Sequence, residues 1–373
     1  MFVDISIVQP IPSSNPNRDD TGSPKTALYG GARRHRVSSQ AWKRAVRKQF
    51  AGEIPSEYLG VRTKKAIEMV AQAIIEQAPE LEDKAVKLAD KTFNTAGIKS
   101  ELPKAKEGEE APRIPEVKYL YFISRKQIEK IAATIVEAER EGKKLNKKQV
   151  KEILKDQNSI DLALFGRMVA DDPDLNVDAS CQVSHALSTH AVETEFDYFT
   201  AVDDAKDAAE EDRSAGAGMI GTVEFVSSCL YRYATINVDL LVENLDSQDD
   251  AKVAVEAFIN AFVKSIPTGK INTFANHTLP SAVYVSVRDD QPMSLAGAFE
   301  TPVKTDLSGG YVKKSVDQLV EYAEANYGAY GKPVKEFACA ADPSAKEISK
   351  LAESIPLKDL AGSVAEAVFP QGD

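Results

Sequence analysis

The chain has 373 residues and a mass of 40.6 kDa, is 43% hydrophobic and 28% charged, and so reads as an ordinary globular protein of roughly two to three domains. No run of about 18 apolar residues occurs, which excludes a membrane span, and an aspartate at position 4 interrupts any secretory leader. A net charge of −11 argues against indiscriminate coating of nucleic acid. Three scattered cysteines (Cys181, Cys229 and Cys339) point to a reducing, cytoplasmic setting, with neither a disulfide framework nor a cysteine zinc site.

In chain order, Val3, Ile5 and Ile7 alternate with Asp4 and Ser6 and predict a strand over residues 1–10. A polar loop runs from Pro12 to Asp20. Tyr29-Gly30-Gly31 marks a turn before a basic extended piece, Arg33 to Val37. Ser38 and Ser39 then offer capping oxygens to a helix from Gln40 to Phe50. On it Trp42, Ala45, Val46 and Phe50 share one side, and Lys43, Arg44, Arg47 and Lys48 the other.

Charge is unevenly divided. Residues 1–50 hold nine basic and three acidic residues, a net of +6 that leaves −17 for the remainder, and eight cations lie between Lys25 and Lys48 without one anion. Like charges at i,i+4 repel by a few tenths of a kcal/mol per pair, and the helix contains no carboxylate to offset them. A polyanion would compensate; a plainly solvated basic face is the alternative.

Residues 58–175 are mainly helical, with stripes at Ile67, Val70, Ile74 and at Ile128, Ile131, Ile135. They are broken by a proline- and charge-rich stretch from Glu101 to Pro115 and by a short strand at Val117 to Phe122. An acidic segment from Asp203 to Arg213 runs into Ser214-Ala215-Gly216-Ala217-Gly218. Phe225 to Asn237 reads as a long strand, Val255 to Val263 as a buried helix, and Ala282 to Val287 as a further strand. The last hundred residues read as short helices and loops without a motif. The sum is an α+β core carrying two long excursions.

Candidate chemistry is sparse. Gly216-x-Gly218-x-x-Gly221 matches a dinucleotide fingerprint as a string, but an acidic run precedes it and a strand-like segment follows, so a flexible loop fits better. His185 and His190, five residues apart, would not share one helix face, and satisfied or surface roles fit all four histidines. Asp19-Asp20 and Asp203-Asp204 could bind magnesium near phosphates, or cap their loops. Phe225, Tyr231 and Tyr233 share a strand face, which suits either base stacking or core packing, with packing favoured.

Several strings, in order, carry a resemblance. They are Asn17-Arg18-Asp19-Asp20; Gly30-Gly31-Ala32-Arg33-Arg34-His35-Arg36-Val37-Ser38-Ser39-Gln40; Lys43-Arg44-Ala45-x-Arg47-Lys48; Asp161 to Met168; Ser184-His185-Ala186 with Thr189-His190; Phe199 to Asp204; and Tyr231-Arg232-Tyr233-Ala234-x-Ile236-Asn237. Together they resemble CasC, the repeated backbone subunit of the type I-E CRISPR complex Cascade. The resemblance implies an RRM-like palm from residues 1–58, 178–196 and 225–373, helical fingers from 59–177 and a thumb from 197–224. It also implies copies stacked head to tail along a CRISPR RNA, each kinking it and leaving the remaining bases free to pair with target DNA.

Carried over position by position, the resemblance assigns RNA contacts to Arg18, Lys25, Ser38, Gln40, Lys43, Arg44 and Arg47 in the palm. It places Arg167 and Met168 beside the kinked nucleotide, with Met168 as an apolar wedge, and Phe199 and Thr200 at the thumb base, where Tyr198 supplies a further aromatic. The thumb tip, Ala205 to Met219, matches nothing and is left unassigned. Expected partners are CRISPR RNA, target DNA through the guide, further copies of the chain, and large, small, cap and guide-processing subunits, with no membrane, cofactor, metal or catalytic residue. Two rivals stand beside this RNA scaffold. One is a metal-dependent endoribonuclease using Asp19 or Asp20, and the other is a protein-only filament.

Overall fold

The computed structural model describes residues 1–104, 114–169, 172–201 and 219–370. The strands are β1 (Phe2–Ser14), β2 (Thr26–Tyr29), β3 (Ala32–Val37), β4 (Gly60–Thr63), β5 (Ser100–Glu101), β6 (Glu116–Val117), β7 (Tyr121–Ser124), β8 (Cys181–Val183), β9 (Ala186–Ser188), β10 (Glu195–Ala201), β11 (Met219–Asn237), β12 (Ala282–Arg288) and β13 (Lys335–Ala340). The chain divides into two units, one of residues 1–49, 183–235 and 258–373, the other of residues 50–182 and 236–257.

A nine-stranded sheet organises the first unit, in the order β13-β12-β1-β11-β9-β3-β2, with β8 and β10 also pairing with β11. β1 lies near its middle, antiparallel to β12 with Val3 opposite Val287 and Ile7 opposite Val283. Every residue from Val3 to Gln9 is buried, because both faces of a central strand are covered. Asp4 therefore needs partners. Its carboxylate accepts from the Tyr233 hydroxyl at 2.8 Å and from the Met293 amide at 2.8 Å, and burial raises its pKa. β2 and β3 form a hairpin closed by Gly30 and Gly31, both at positive φ (56° and 73°), as a type I′ turn requires. A β-carbon on Gly30 would sit 1.6 Å from the Glu300 carbonyl oxygen, so only glycine fits.

The strand read over residues 1–10 continues to Ser14, and the basic helix is α1, Ser39–Gln49. The last hundred residues hold more order than the sequence suggested. They contain a 19-residue helix, Val312–Tyr330, whose Val316, Leu319, Val320, Ala323 and Tyr327 enter a core with Tyr231, Tyr233 and Phe299. They also supply β13, which pairs with β12. Tyr231 and Tyr233 are thus buried, which bears out core packing over a stacking platform. Gly221 lies in β11, while Gly216, Gly218 and the acidic thumb tip fall outside the described residues.

The second unit is built from α2 (Ala66–Gln77), α3 (Glu82–Ala96), α4 (Arg125–Arg140), α5 (Lys147–Lys155) and α6 (Ile160–Phe165), together with a helix at Val238–Leu245. Ile67, Val70, Ile74, Ile128, Ile131 and Ile135 meet in one core, as their spacing predicts. A capping box starts α4: the Ser124 hydroxyl accepts from the Gln127 amide at 2.9 Å, and the Gln127 side chain returns the bond at 3.1 Å. Among the described residues no helix is long and apolar enough to cross a membrane.

Candidate nucleic-acid interface

The basic helix is held at its start by three neighbours. Ser38 Oγ accepts from the Ala41 amide at 3.3 Å as an N-cap, Asn17 Oδ1 accepts from the Ser38 amide at 2.8 Å, and His185 Nδ1 accepts from the Ser39 amide at 2.9 Å. Acceptance at Nδ1 leaves the proton of a neutral His185 on Nε2. Burial, first, and then Arg36 and Lys25 lower its pKa, which preserves that role. The sequence strings around Asn17, Ser38 and His185 thus describe one helix-start assembly. Trp42 packs in a core with Ile11, Val37 and Leu230, and Val46 is buried on the same side, which fixes which side of α1 faces out.

On the outward side Gln40, Arg44 and Lys48 are exposed, and Lys43 and Arg47 are half-buried. Arg18 is exposed in the preceding loop and Lys25 is half-buried, its carbonyl accepting from the Arg36 amide at 2.8 Å. Arg44 and Lys48 line a cleft of 390 Å³ with Lys264, Thr268 and His277, and no acidic residue lines it. Lys264 and the loop after it escaped the sequence reading. They belong to no charge run, and the signal available was a proline–glycine turn, Pro267 to Gly269, behind an apolar helix.

Two expected contacts, and one further member of the cationic run, sit differently from their sequence roles. Ser38 is 6% exposed and serves as a cap, so it shapes the helix start without lining the surface. Arg34, counted in the cationic run, is fully buried and donates to the carbonyls of Tyr29, Ser188, Phe299 and Glu300 at 2.8–3.3 Å. Arg167, in the second unit, is also turned inward, against the expectation that it reaches a ligand. Its guanidinium donates to the carbonyls of Leu175 (3.0 Å), Phe122 (3.1 Å) and Leu154 (2.8 Å) and lies over the Tyr121 ring. Met168, next to it, is 81% exposed. Gly166, at φ 75°, permits this tight path, since a β-carbon there would lie 2.8 Å from the Val177 carbonyl oxygen.

Phe199 and Thr200 are carried on the β10–β11 arm, where Phe199 faces Gly221 and Thr200 faces Ile220. The Phe199 ring covers the glycine: a β-carbon on Gly221 would lie 2.5 Å from the ring. Phe196 and Tyr198 project from the opposite face of the strand and are about two-thirds exposed. Phe196 was not singled out in the sequence, although the i,i+2 alternation with Tyr198 was there to find.

Asp19, His190 and His35 have local roles, whereas Asp203 and Asp204 fall outside the described residues. Asp19 Oδ1 accepts from the Thr21 hydroxyl (2.7 Å) and from the amides of Thr21 (3.0 Å) and Ser23 (2.9 Å), and these bonds, the hydroxyl's first, lower its pKa. His190 stacks on Tyr311 at 3.5 Å; its Nε2 accepts from the Cys229 amide and its Nδ1 bonds the Ala191 carbonyl. His35, buried against Ser228, has its pKa pushed down to about 4 by burial and, second, by His190. Because the unfolded histidine titrates near 6.5, stability is complete above that pH. It falls by roughly 3 kcal/mol as pH drops toward 4, where the folded state binds the proton too. Urea titrations at neutral pH and near pH 4 are expected to show this loss, and a His35→Gln variant to show a smaller one. Equal pH dependence in both proteins would refute the assignment.

A basic helix locked at its start, with an exposed apolar arm in the same unit, is the arrangement to set beside known proteins. The family described as CT1975-like protein matches residues 3–362. The chain belongs to that family. Among solved structures, this CT1975-like chain is similar to one titled "CRISPR RNA-guided surveillance complex, pre-nicking", at 34% identity and TM-score 0.81, covering 99% of this chain and 100% of that one. A second, titled "CRISPR RNA-guided surveillance complex", is 28% identical with TM-score 0.64 and the same coverage. No curated protein matches the CT1975-like chain. The resemblance to CRISPR backbone subunits drawn from the sequence strings is borne out by the family match and these two structures.

Proposed function

We propose that the chain is a CRISPR RNA-binding backbone subunit of a Cascade-type complex, of type I-E, and that it holds the guide by its sugar-phosphate backbone. The observation that carries this is the outward row of α1, Gln40, Lys43, Arg44 and Arg47, on a helix whose start and rotation are fixed by the core. Cations on a rigid helix contact phosphates without reading bases, and a guide-directed protein needs that indifference because pairing supplies the sequence. Family membership and the likeness to surveillance-complex chains support the same reading. In it, residues 1–58, 178–196 and 225–373 form an RRM-like palm, 59–177 the fingers and 197–224 the thumb. Copies follow one another along the guide and kink it, Met168 and Phe199 supply apolar surface at the kink, and the bases between remain open to target DNA. Partners include the other subunits of the complex.

Purified protein mixed with guide RNA is expected to form particles whose length in electron micrographs follows the RNA and which ribonuclease dissolves. Particles that form without RNA and survive ribonuclease and salt would establish a protein-only filament instead. We also propose that the chain does not cut RNA; the Asp19 carboxylate, bound into its own loop, supports this. Incubation of the guide-loaded protein with complementary RNA and magnesium is expected to leave both strands intact. Cleavage lost in Asp19→Ala or Asp20→Ala would show an endoribonuclease.

A further inference from the structure

Arg232 stands in β11 with 1% of its surface exposed. Its guanidinium lies between two rings, 3.7 Å from the Trp42 ring centre and 4.5 Å from that of Phe262. Nη1 donates to Gln9 Oε1 at 2.6 Å and Nη2 donates to the Phe262 carbonyl, while Nε has no partner. Both of these acceptors and both rings are neutral, and among the described residues no carboxylate forms an ion pair with it. Burial pushes its pKa down to about 9, so the side chain still carries its charge at neutral pH.

A buried cation without an acid is costly, and arginine is almost never found fully buried unless paired. Ring faces and two neutral acceptors compensate only in part. An apolar side chain of similar length would fill the same slot with no charge to desolvate, at the cost of the donor to the Gln9 and Phe262 oxygens. Packing therefore does not explain the guanidinium. Its position does. Trp42, the ring it touches, is the inward anchor of α1, and the residues on either side of that anchor are Ala41 and the outward Lys43.

We propose that Arg232 is a buried positioning residue of the polyanion site, its charge raising the positive potential of α1 from beneath, through Trp42, without touching the ligand. The inference rests on the RNA-binding reading above. A charge held in the protein interior is poorly screened by salt, unlike the surface lysines and arginines. Since it contacts no phosphate, it displaces no counterion when RNA binds.

That difference defines the test. Guide RNA affinity of the full chain is measured across a range of salt concentrations, with thermal unfolding alongside, for the wild type, Arg232→Met, Arg232→Gln and the double variant Lys43→Ala/Arg47→Ala. Arg232→Met, which leaves the Gln9 and Phe262 oxygens without this donor, is expected to stay folded and melt somewhat below the wild type, yet bind roughly tenfold more weakly, as loss of one buried unit charge near the site implies. The slope of affinity against salt should be unchanged. Arg232→Gln, which keeps a hydrogen-bonding group in the slot, is expected to behave alike. Wild-type affinity in either folded variant overturns the proposal. So does a loss that comes with a shallower slope, which would locate the effect in the surface contacts, or unfolding of both neutral variants, which would make the charge a stability element. Wild-type binding by the Lys43/Arg47 double variant would instead overturn the RNA-binding reading itself.

Discussion

Replacing Lys43 and Arg47 together by alanine is expected to weaken guide RNA binding by roughly 30- to 900-fold, at about one to two kcal/mol per charge-assisted contact. The loss should be the same for guides of unrelated sequence, because the two side chains are placed to meet phosphates and not base edges. The salt slope should fall by about one to two units, at ~0.7 per phosphate on a single strand. Folding should be little changed, since the helix is held by buried Trp42 and Val46 and neither substituted residue is buried. Filter binding over a salt series with several guides measures all of this. Losses that vary with guide sequence would contradict a backbone clamp.

The second large effect concerns stability. Arg167→Ala removes a buried guanidinium that satisfies three carbonyls and packs over Tyr121, leaving the carbonyl oxygens of Leu175, Phe122 and Leu154 without that donor. An unsatisfied buried acceptor costs about 1–3 kcal/mol, and a cavity adds to it, so a total near 3–5 kcal/mol is expected for the second unit. Lysine should not rescue, because a single ammonium cannot reach three carbonyls in the geometry of a fork. Met168→Ala, one residue on and solvent-facing, should change stability by less than about 0.5 kcal/mol. Denaturant unfolding of the two variants separates them. Equal stability of Arg167→Ala and Met168→Ala would restore Arg167 as a surface contact.

The contrast between those neighbours shows what could be learned from the sequence and what could not. Helical periodicity placed Trp42 and Val46 inside α1 and its cations outside, because a period near 3.6 assigns each residue to a side. The alternation of β1 and the stripes of α2 and α4 were legible on the same ground. Arg34 and Arg167 were not. A guanidinium inside a protein differs from one in water only by the carbonyls aimed at it, and those come from Ser188, Phe299, Leu175 and Leu154, residues whose proximity no local pattern encodes. Ser38 was legible as a cap, while its low exposure depends on Asn17 and on the surrounding fold. The long helix Val312–Tyr330 was there to be read in Val316, Leu319, Val320, Ala323 and Tyr327, although Gly328 near its end and its many polar residues blunt the stripe. The assignment of residues 236–257 to the second unit has no sequence signal, because the cap at Asn237 marks where a helix starts and not which core it joins.

The ring of Phe199 rests on Gly221 of the facing strand and is 36% exposed. Freezing a side chain on association ordinarily costs about 0.5–1.5 kcal/mol of rotamer freedom. Here that cost was met when the hairpin folded, so an apolar group arriving at the arm finds a rigid plate already turned toward it, whereas Tyr198 on the other face keeps its torsional latitude until something settles against it.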